Sequence, residues 1–456
     1  MSVLSAIFKN QVTVEQALGA KDITTGSMRR AIEEWFHLYF DTRQTKEEDP
    51  CQRIPYVVVN KLTKTTFSEY QASVEDDFLS SCLERVNKVR KAAMQTALIG
   101  GECYIKPVLA AGGFDFLVVR RDCYLVLARN TAGEAVSVGT AEFTSQGGKY
   151  YTLLEKRTVD NNGWLTIESR LFRSEDNEIL GGEVPLSALA KYANLEPFVT
   201  LPEPVGGLGM ALLKTPMVNC VDGSDDSVSV YAPAVGLIHN INRNEAQING
   251  EFERGQSRII ASADMMEVDE TGTKRRLVDD VFTGIDDAPD EVEITIFSPA
   301  FREQSFLARK TEYLRNVESQ IGLKRGILSE VEAVERTATE VTSSEGDYNL
   351  TIIDFQQAWE VALREVLRLC AILGGLYKLC PRKEFDPGSL VVDWGDGVLY
   401  NRDRTWAEYK EMVAAGWIKT ELGLAWYFNL PHETPEDLQK IRDEYMPKLE
   451  ALTGGE

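Results

Sequence analysis

The stretch Val235-Gly236-Leu237-Ile238-His239-Asn240-Ile241-Asn242-Arg243-Asn244-Glu245-Ala246-Gln247-Ile248-Asn249-Gly250-Glu251-Phe252 decides how the chain is organised. Val235, Ile238, Ile241, Glu245, Ile248 and Phe252 follow one another at steps of three or four, the spacing of a single helix face. The stripe is narrow and diluted by Asn240, Asn242, Asn244 and Asn249. Such a helix packs beside neighbours rather than deep in one core. The pattern starts near Ser227, and from Ser229 to Gly255 it would run ~40 Å at ~1.5 Å per residue. Residues 259–299 interrupt it: Ile259-Ile260 and Val292 to Phe297 predict strands around a segment rich in Asp and Gly. A second helix runs from about Ala300 to Leu323 with Leu307, Leu314, Val317 and Ile321 on one side. Two helices therefore flank a small inserted unit.

Upstream, the first hundred residues read as helical. Thr13 with Gln16 three positions on suggests a capping box. Ile32, Trp35, Phe36 and Tyr39 mark one helix face, and Phe78, Cys82, Val86 and Val89 another, until Gly100-Gly101 stops the pattern. From Glu102 to about Phe172, short apolar runs predict an antiparallel β region: Cys103 to Val108, Phe114 to Val119, Tyr124 to Ala128, Tyr150 to Leu154 and Trp164 to Ile167. Asn161-Asn162-Gly163 is a hairpin turn between two of them. A Gly and Pro cluster follows, Pro202 to Gly209. Downstream of the helix pair comes a Gly-interrupted loop, Lys324-Arg325-Gly326-Ile327-Leu328. Thr337 and Glu340 then open a long helix carrying Ile352, Phe355, Trp359, Leu363, Val366, Cys370 and Leu373 and ending at Gly374-Gly375. A short strand, Leu390 to Asp393, and helices near 403–415, 420–428 and 435–449 complete the chain. The last begins at Thr434, with Pro435 at its first position.

Composition narrows the function classes. The 456 residues carry 49 Lys and Arg against 71 Asp and Glu, a formal charge of −22, with 43% hydrophobic and 26% charged residues. Those are the proportions of a globular protein of two to four units. The acidic balance argues against broad gripping of nucleic acid, which needs Lys and Arg to replace counterions. It leaves room for a protein that lets DNA pass without holding it. Cys51, Cys82, Cys103, Cys123, Cys220, Cys370 and Cys380 show no C-x-x-C spacing, and their odd number fits free thiols in a reducing compartment. Met1 to Lys9 is too short and too soon charged for a signal peptide, and no stretch approaches ~18 apolar residues. The expectation is a soluble protein made in a cytoplasm, without membrane contact.

Chemistry is mostly absent. His37, His239 and His432 are the three histidines, none at metal-ligand spacing with another. His432-Glu433-Thr434-Pro435-Glu436 resembles half of a zincin motif, lacks the second His, and has a Pro that forbids the helix; it reads as a loop before a helix. There is no G-x-S-x-G elbow and no P-loop: Gly147-Gly148-Lys149 is followed by Tyr150 and lies in the β region. Gly206-Gly207-Leu208-Gly209, ahead of a helical pattern, reads as a flexible joint rather than a phosphate cradle. The acidic run Asp279, Asp280, Asp286, Asp287, Asp290, Glu291 and Glu293 lacks calcium-loop spacing and reads as a solvated face. Its functional variant is a negative surface that repels a polyanion or meets a basic partner. No metal, no cofactor and no enzyme active site are expected.

The order of these parts resembles tailed-bacteriophage portal proteins, particularly those of phages infecting Gram-positive bacteria. The resemblance is carried by Ile54-Pro55-Tyr56-Val57-Val58-Val59-Asn60-Lys61, by Ala97-Leu98-Ile99-Gly100-Gly101-Glu102-Cys103-Tyr104-Ile105-Lys106, and by Ser257-Arg258-Ile259-Ile260. Its most specific run is Phe297-Ser298-Pro299-Ala300-Phe301-Arg302, then Ile321-Gly322-Leu323, then Glu335-Arg336-Thr337-Ala338-Thr339-Glu340-Val341. The resemblance implies an α+β portal fold. Residues 1–226 would be a wing (helical over 1–100, β-rich over 101–180), 227–258 and 300–323 a two-helix stem, and 259–299 a small α/β clip. Residues 324–336 would be the tunnel loop, 337–399 a long wing helix with its return strand, and 400–456 a short helical crown.

The function so implied is a twelve-subunit ring at one capsid vertex, assembled in the bacterial host cytoplasm and retained in the virion. Double-stranded DNA would pass through it without sequence-specific binding, driven by a separate ATPase. Its partners would be the terminase large subunit, a head-completion or adaptor protein, and the scaffolding and major capsid proteins. Lys324, Arg325, Ile327, Leu328 and Glu330 are the candidates for DNA contact or gating. For Lys324 and Arg325 two readings stay open, transient contacts to DNA or pairing with acidic neighbours. Asp279, Asp280, Asp286 and Asp287 are the candidates for partner docking. The rivals are another ring-forming head–tail connector and a packaging-module nuclease; a defective prophage or gene-transfer particle would keep the same biochemistry.

Overall fold

Helix stripes, glycine stops and alternating runs place the elements, and the tertiary structure decides how they pair. The computed structural model describes residues 11–40, 50–254, 258–260, 266–268, 275–277, 295–297, 302–329, 338–382, 384–395, 402–428, 430–432 and 434–446. Helix α1 (Gln11–Leu18) buries Val14 and Leu18. Thr13 stands inside this helix, not at its start, so the expected capping box with Gln16 does not form there. Helix α2 (Gly26–Phe40) buries Met28, Ile32, Trp35, Phe36 and Leu38, while Tyr39 of the predicted stripe is half-buried. Helix α3 (Ile54–Thr66) carries Pro55 in its first turn, where the missing N–H would have had no helical partner.

Strand β1 (Gln71–Val74) leads into α4 (Asp77–Gly100), whose N-terminus is capped by Asp76 accepting from the Leu79 amide at 3.0 Å. Gly101 ends α4 at φ +86°, and a Cβ there would stand 2.4 Å from the Ser227 carbonyl oxygen. Both the backbone conformation and the close approach require glycine.

The β region splits into two sheets. Strands β2 (Glu102–Ala110) and β3 (Gly113–Arg120) form one with β10 (Ala211–Lys214), in the order β10-β2-β3. The other runs β4 (Tyr124–Arg129), β5 (Ala135–Gln146), β6 (Lys149–Val159), β7 (Leu165–Ser174), β8 (Gly182–Val184), with β9 (Phe198–Thr200) also on β7. The turn Asp160–Trp164 that joins β6 to β7 contains the predicted Asn161-Asn162-Gly163. Gly147 and Gly148, both at positive φ, close the β5–β6 hairpin.

β5 was not predicted. Its run Ser137-Val138-Gly139-Thr140-Ala141-Glu142 carries little apolar mass, and its Gly139 has a spatial reason. A Cβ there would meet Leu18 Cδ1 at 2.3 Å, because α1 lies directly on the strand. β10 also went unseen. Gly206 to Gly209 precede this strand rather than a helix, and they are tied down rather than a loose joint. The Val205 and Gly206 amides donate to the Gly163 carbonyl at 2.9 and 3.1 Å, and Arg157 and Arg368 donate to the Leu208 and Val205 carbonyls.

A buried charge network joins these pieces. Arg121, fully buried, lies 3.4 Å from Glu102, 3.3 Å from Asp226 and within 3.0 Å of the Thr24 hydroxyl. Tyr124 donates to Glu102 at 2.6 Å and lies under the Arg121 guanidinium, and Arg129 adds a 2.8 Å pair to Asp226. Burial works against the Arg121 charge, but Tyr124, Glu102, Asp226 and Asp22 more than offset it and raise its pKa. A second cluster sits on β2 and β6, where Lys106 pairs with Glu155 and Arg157 lies 3.7 Å from the same carboxylate.

Residues 227–231, expected to open a long helix, are instead non-helical and end in a turn at 230–231. Val230 N donates to the Leu98 carbonyl, and the Tyr231 hydroxyl donates to the Trp35 carbonyl at 2.8 Å. Helix α5 (Val235–Arg254) starts later, after the 3-10 turn Ala232–Ala234. Its length is accordingly ~30 Å rather than ~40 Å. Its asparagine face is not uniformly wet: Asn242 and Asn244 are buried, and Asn242 accepts from the Gln52 amide at 3.0 Å.

Four short strands, β11 (Arg258–Ile260), β12 (Met266–Val268), β13 (Arg275–Leu277) and β14 (Thr295–Phe297), pair as β11–β14 and β12–β13. Helix α6 (Glu303–Ile321) follows, then α7 (Ala338–Leu376). Ile352, Phe355, Trp359, Leu363, Val366 and Cys370 of α7 are buried in one core with residues of α2, α3, α4 and α5. Gly374 and Gly375 lie in its last turn, where the sequence ends the helix; a Cβ on Gly374 would stand 2.6 Å from Phe78.

Strand β15 (Leu390–Asp393) returns to pair antiparallel with β1. Helices α8 (Arg402–Ala414), α9 (Thr420–Phe428) and α10 (Pro435–Tyr445) close the chain, with Trp406, Tyr409, Trp426 and Tyr427 stacked between the first two. Thr434 and Asp437 form a reciprocal capping box on α10. No described helix is long and apolar enough to cross a membrane.

Candidate functional site: the helix pair and the loop root

Helices α5 and α6 are the elements that the opening stretch predicted to flank an insert, and they lie side by side and antiparallel. Lys310 Nζ meets Glu245 at 2.5 Å, and Arg302 grips Glu251 through two bonds at 3.0 and 3.1 Å. As numbers rise on α5 they fall on α6, so the pair runs antiparallel from 245/310 to 251/302. Just beyond that end, Arg258 to Ile260 pairs with Thr295 to Phe297. The insert therefore leaves and rejoins the helix pair through one two-stranded neck. At the other end, His239 Nε2 stands 2.9 Å from Glu34 on α2, and Ile238, Ile241, Val317 and Ile321 enter the main core.

The stretch between those ends is thinly covered. Phe252, Leu307, Arg302 and most of the first half of α6 are exposed. Asp279, Asp280, Asp286 and Asp287 lie outside the described residues, as does Glu330.

At the core end, α6 turns into the segment that begins at Lys324. Gly322 adopts φ +75°, and the Leu323 amide donates to the Glu318 carbonyl at 2.8 Å, a left-handed helix stop. A Cβ on Gly322 would stand 2.7 Å from the Thr351 hydroxyl of α7, so Ile321-Gly322-Leu323 is a stop that also lets α7 come close. Leu323 is buried, and Ile327 and Leu328 are half-buried against the main core.

Glu318, fully buried, organises the residues that follow. Its Oε1 accepts from the amides of Gly326 at 3.1 Å, Leu328 at 2.6 Å and Ser329 at 3.0 Å, and its Oε2 accepts from the Ser329 hydroxyl at 2.7 Å. Gly326 sits at φ +96°, the conformation that turns its amide and those of 328 and 329 toward one oxygen.

Of the predicted loop residues, the structure thus brings Lys324, Arg325, Ile327 and Leu328 onto one turn. Arg325 is exposed on it, and Lys324 is half-buried close to Tyr348. Burial pushes the Tyr348 hydroxyl up, while its bond to Thr65 and the nearby Lys324 charge work the other way. Glu318 was missed. It sits on the apolar row between Leu314 and Ile321, and an acid on that row was the signal available. Among the described residues no group of His, Cys, Asp and Glu could hold a metal ion.

The family model for "Phage portal protein, SPP1 Gp6-like" matches residues 56–447. Among solved structures, the chain is similar to a chain of the neck of a native GTA particle computed with C12 symmetry. The identity is 12%, the match covers 93% of this chain and 99% of that one, and the TM-score is 0.50. A chain from the virion of a native gene transfer agent particle is similar at 13% identity over 92% and 98% of the two chains, with a TM-score of 0.48. At such identities the first likeness shows the fold alone. No curated protein matches the chain.

Proposed function

Because the chain belongs to the phage portal protein family of the SPP1 Gp6-like type, we propose that it acts as one subunit of a twelve-fold ring at a single capsid vertex. Double-stranded DNA enters through the channel of this ring during packaging, driven by a separate ATPase, and leaves through it at ejection. The observation that carries this reading is the antiparallel α5–α6 pair, with an inserted unit at one end and a structured turn at the other.

In this reading residues 235–258 and 300–323 form the stem, 259–299 the clip and 324–336 the tunnel loop. Residues 1–234 and 337–399 form the wing, since 229–231 bond to α4 and α2, and 400–456 the crown. The thin cover on the stem supports a ring, since neighbouring copies would bury surfaces that one chain leaves to water. With −22 charges per copy, the ring disfavours stable phosphate binding, which suits a channel through which DNA slides. The clip, with Asp279, Asp280, Asp286 and Asp287, docks the terminase large subunit and later a head-completion protein. Scaffolding and major capsid proteins surround the wing, and assembly takes place in the bacterial host cytoplasm. The protein carries no active site of its own.

Electron microscopy of the purified protein tests this directly. Axial class averages are expected to show a ring of about a dozen subunits around an open hole. A small closed dimer without a channel would overturn the reading.

A further inference from the structure

We propose that Glu318 is a positioning residue that locks the first part of the loop, Lys324 to Ser329, to the end of α6, so that Lys324 and Arg325 move only with the helix. This deepens the channel reading and rests on it.

The placement of the acid is the first argument. Glu318 lies in the last turn of α6, where exposed carbonyls make the helix end negative and an acidic side chain is unfavourable. It is also fully buried, which penalises a carboxylate again unless donors surround it. A helix end needs donors to satisfy its carbonyls, and a carboxylate supplies none, so helix termination does not explain this residue.

The donors it does meet explain it. Three backbone amides, of Gly326, Leu328 and Ser329, converge on one oxygen, and the Ser329 hydroxyl takes the other. Bonds to an ionised acceptor are roughly twice as strong as neutral ones. Four of them on a six-residue segment hold its conformation without any regular secondary structure. Ile327 and Leu328 face the core from the same turn, and Gly322 and Gly326 supply the two left-handed positions that the chain needs to fold back over Glu318. The result is a fixed pedestal, with Arg325 exposed on it and Lys324 beside Tyr348. In a translocating ring, DNA contacts from such a pedestal have a constant height relative to the stem.

Hydrogen exchange on the full-length protein, read by mass spectrometry, separates this from a merely structural role. Glu318→Ala removes all four acceptor contacts, and Glu318→Gln keeps the shape while removing the charge. The peptide covering residues 324–329 is expected to exchange about tenfold faster in Glu318→Ala and by an intermediate factor in Glu318→Gln. Trypsin cleavage after Arg325 should accelerate in the same order. Exchange within α5 and the buried half of α7 should not change. Unchanged exchange at 324–329, or an equal rise throughout the chain in Glu318→Gln, would overturn the lock.

DNA filling of capsids built with Glu318→Gln is expected to fall several-fold while rings still assemble. Full filling with an unlocked turn would overturn the functional half of the proposal. The channel reading itself fails separately, if the purified parent protein forms only a small closed assembly without a central hole.

Discussion

Arg121 shows what a single residue contributes here. Its guanidinium is fully buried and meets the Thr24 hydroxyl, Glu102, Asp226 and the face of Tyr124, groups drawn from four separate stretches of chain. Removing one partner of such a network leaves the other charges buried and uncompensated, which costs about 3–5 kcal/mol. Arg121→Ala is therefore expected to lower the urea midpoint by that equivalent, with no change in slope; a loss under about 1 kcal/mol would show the network to be slack. Glu155 has a different role. Burial opposes its charge, but Arg157 and Lys106 more than offset this and hold its carboxyl below the usual carboxylate range. A lowered folded pKa gives stability that is present above the unfolded value and is lost as pH falls through the folded one. Thermal unfolding across pH should show Glu155→Gln less stable than the parent at pH 7 and less steeply destabilised by acid below the ordinary carboxylate range.

At the scale of elements, α7 ties the molecule together. Trp359 is fully buried and packs edge-on against Phe67 at 5.4 Å between ring centres, while Ile352, Phe355, Leu363 and Val366 extend the same contact along the helix. Trp359→Ala would leave a cavity where α3 and α7 meet, at a cost of about 3–5 kcal/mol, measurable by chemical denaturation. Because α7 is joined through the 324–329 turn to α6, a loss there should also loosen the core end of the helix pair. The opposite end of that pair has less support. It relies on Lys310–Glu245, Arg302–Glu251 and the β11–β14 neck, and its exposed ion pair contributes little on its own.

The whole chain belongs to the phage portal protein family, and in the ring proposed for it one copy would be incomplete alone. Trp417, Val361, Leu350, Phe198 and Val391 are more than 60% exposed, large apolar groups scattered over separate elements. At this scale the loop is the part to alter: shortening residues 326–334 should block DNA packaging and leave ring assembly intact. Micrographs of the variant and DNA content of the capsids built with it check the two halves independently.

What the sequence determined by itself was the element order and much of the type. The stripes on α2, α4 and α7, the Asn161-Asn162-Gly163 turn, the strand Leu390 to Asp393 and the pair of helices around an insert were all legible, because spacing and turn chemistry are local. Tertiary structure alone decided the rest. Gly139 and the weakly apolar β5 make sense only once α1 is seen lying on them. Residues 227–231 stay out of the helix because their donors pair with the end of α4 and with α2, far off in sequence. Glu318 became significant only when the chain after Gly322 folded back over it, since the convergence of three amides on one oxygen depends on a backbone path that no residue pattern specifies.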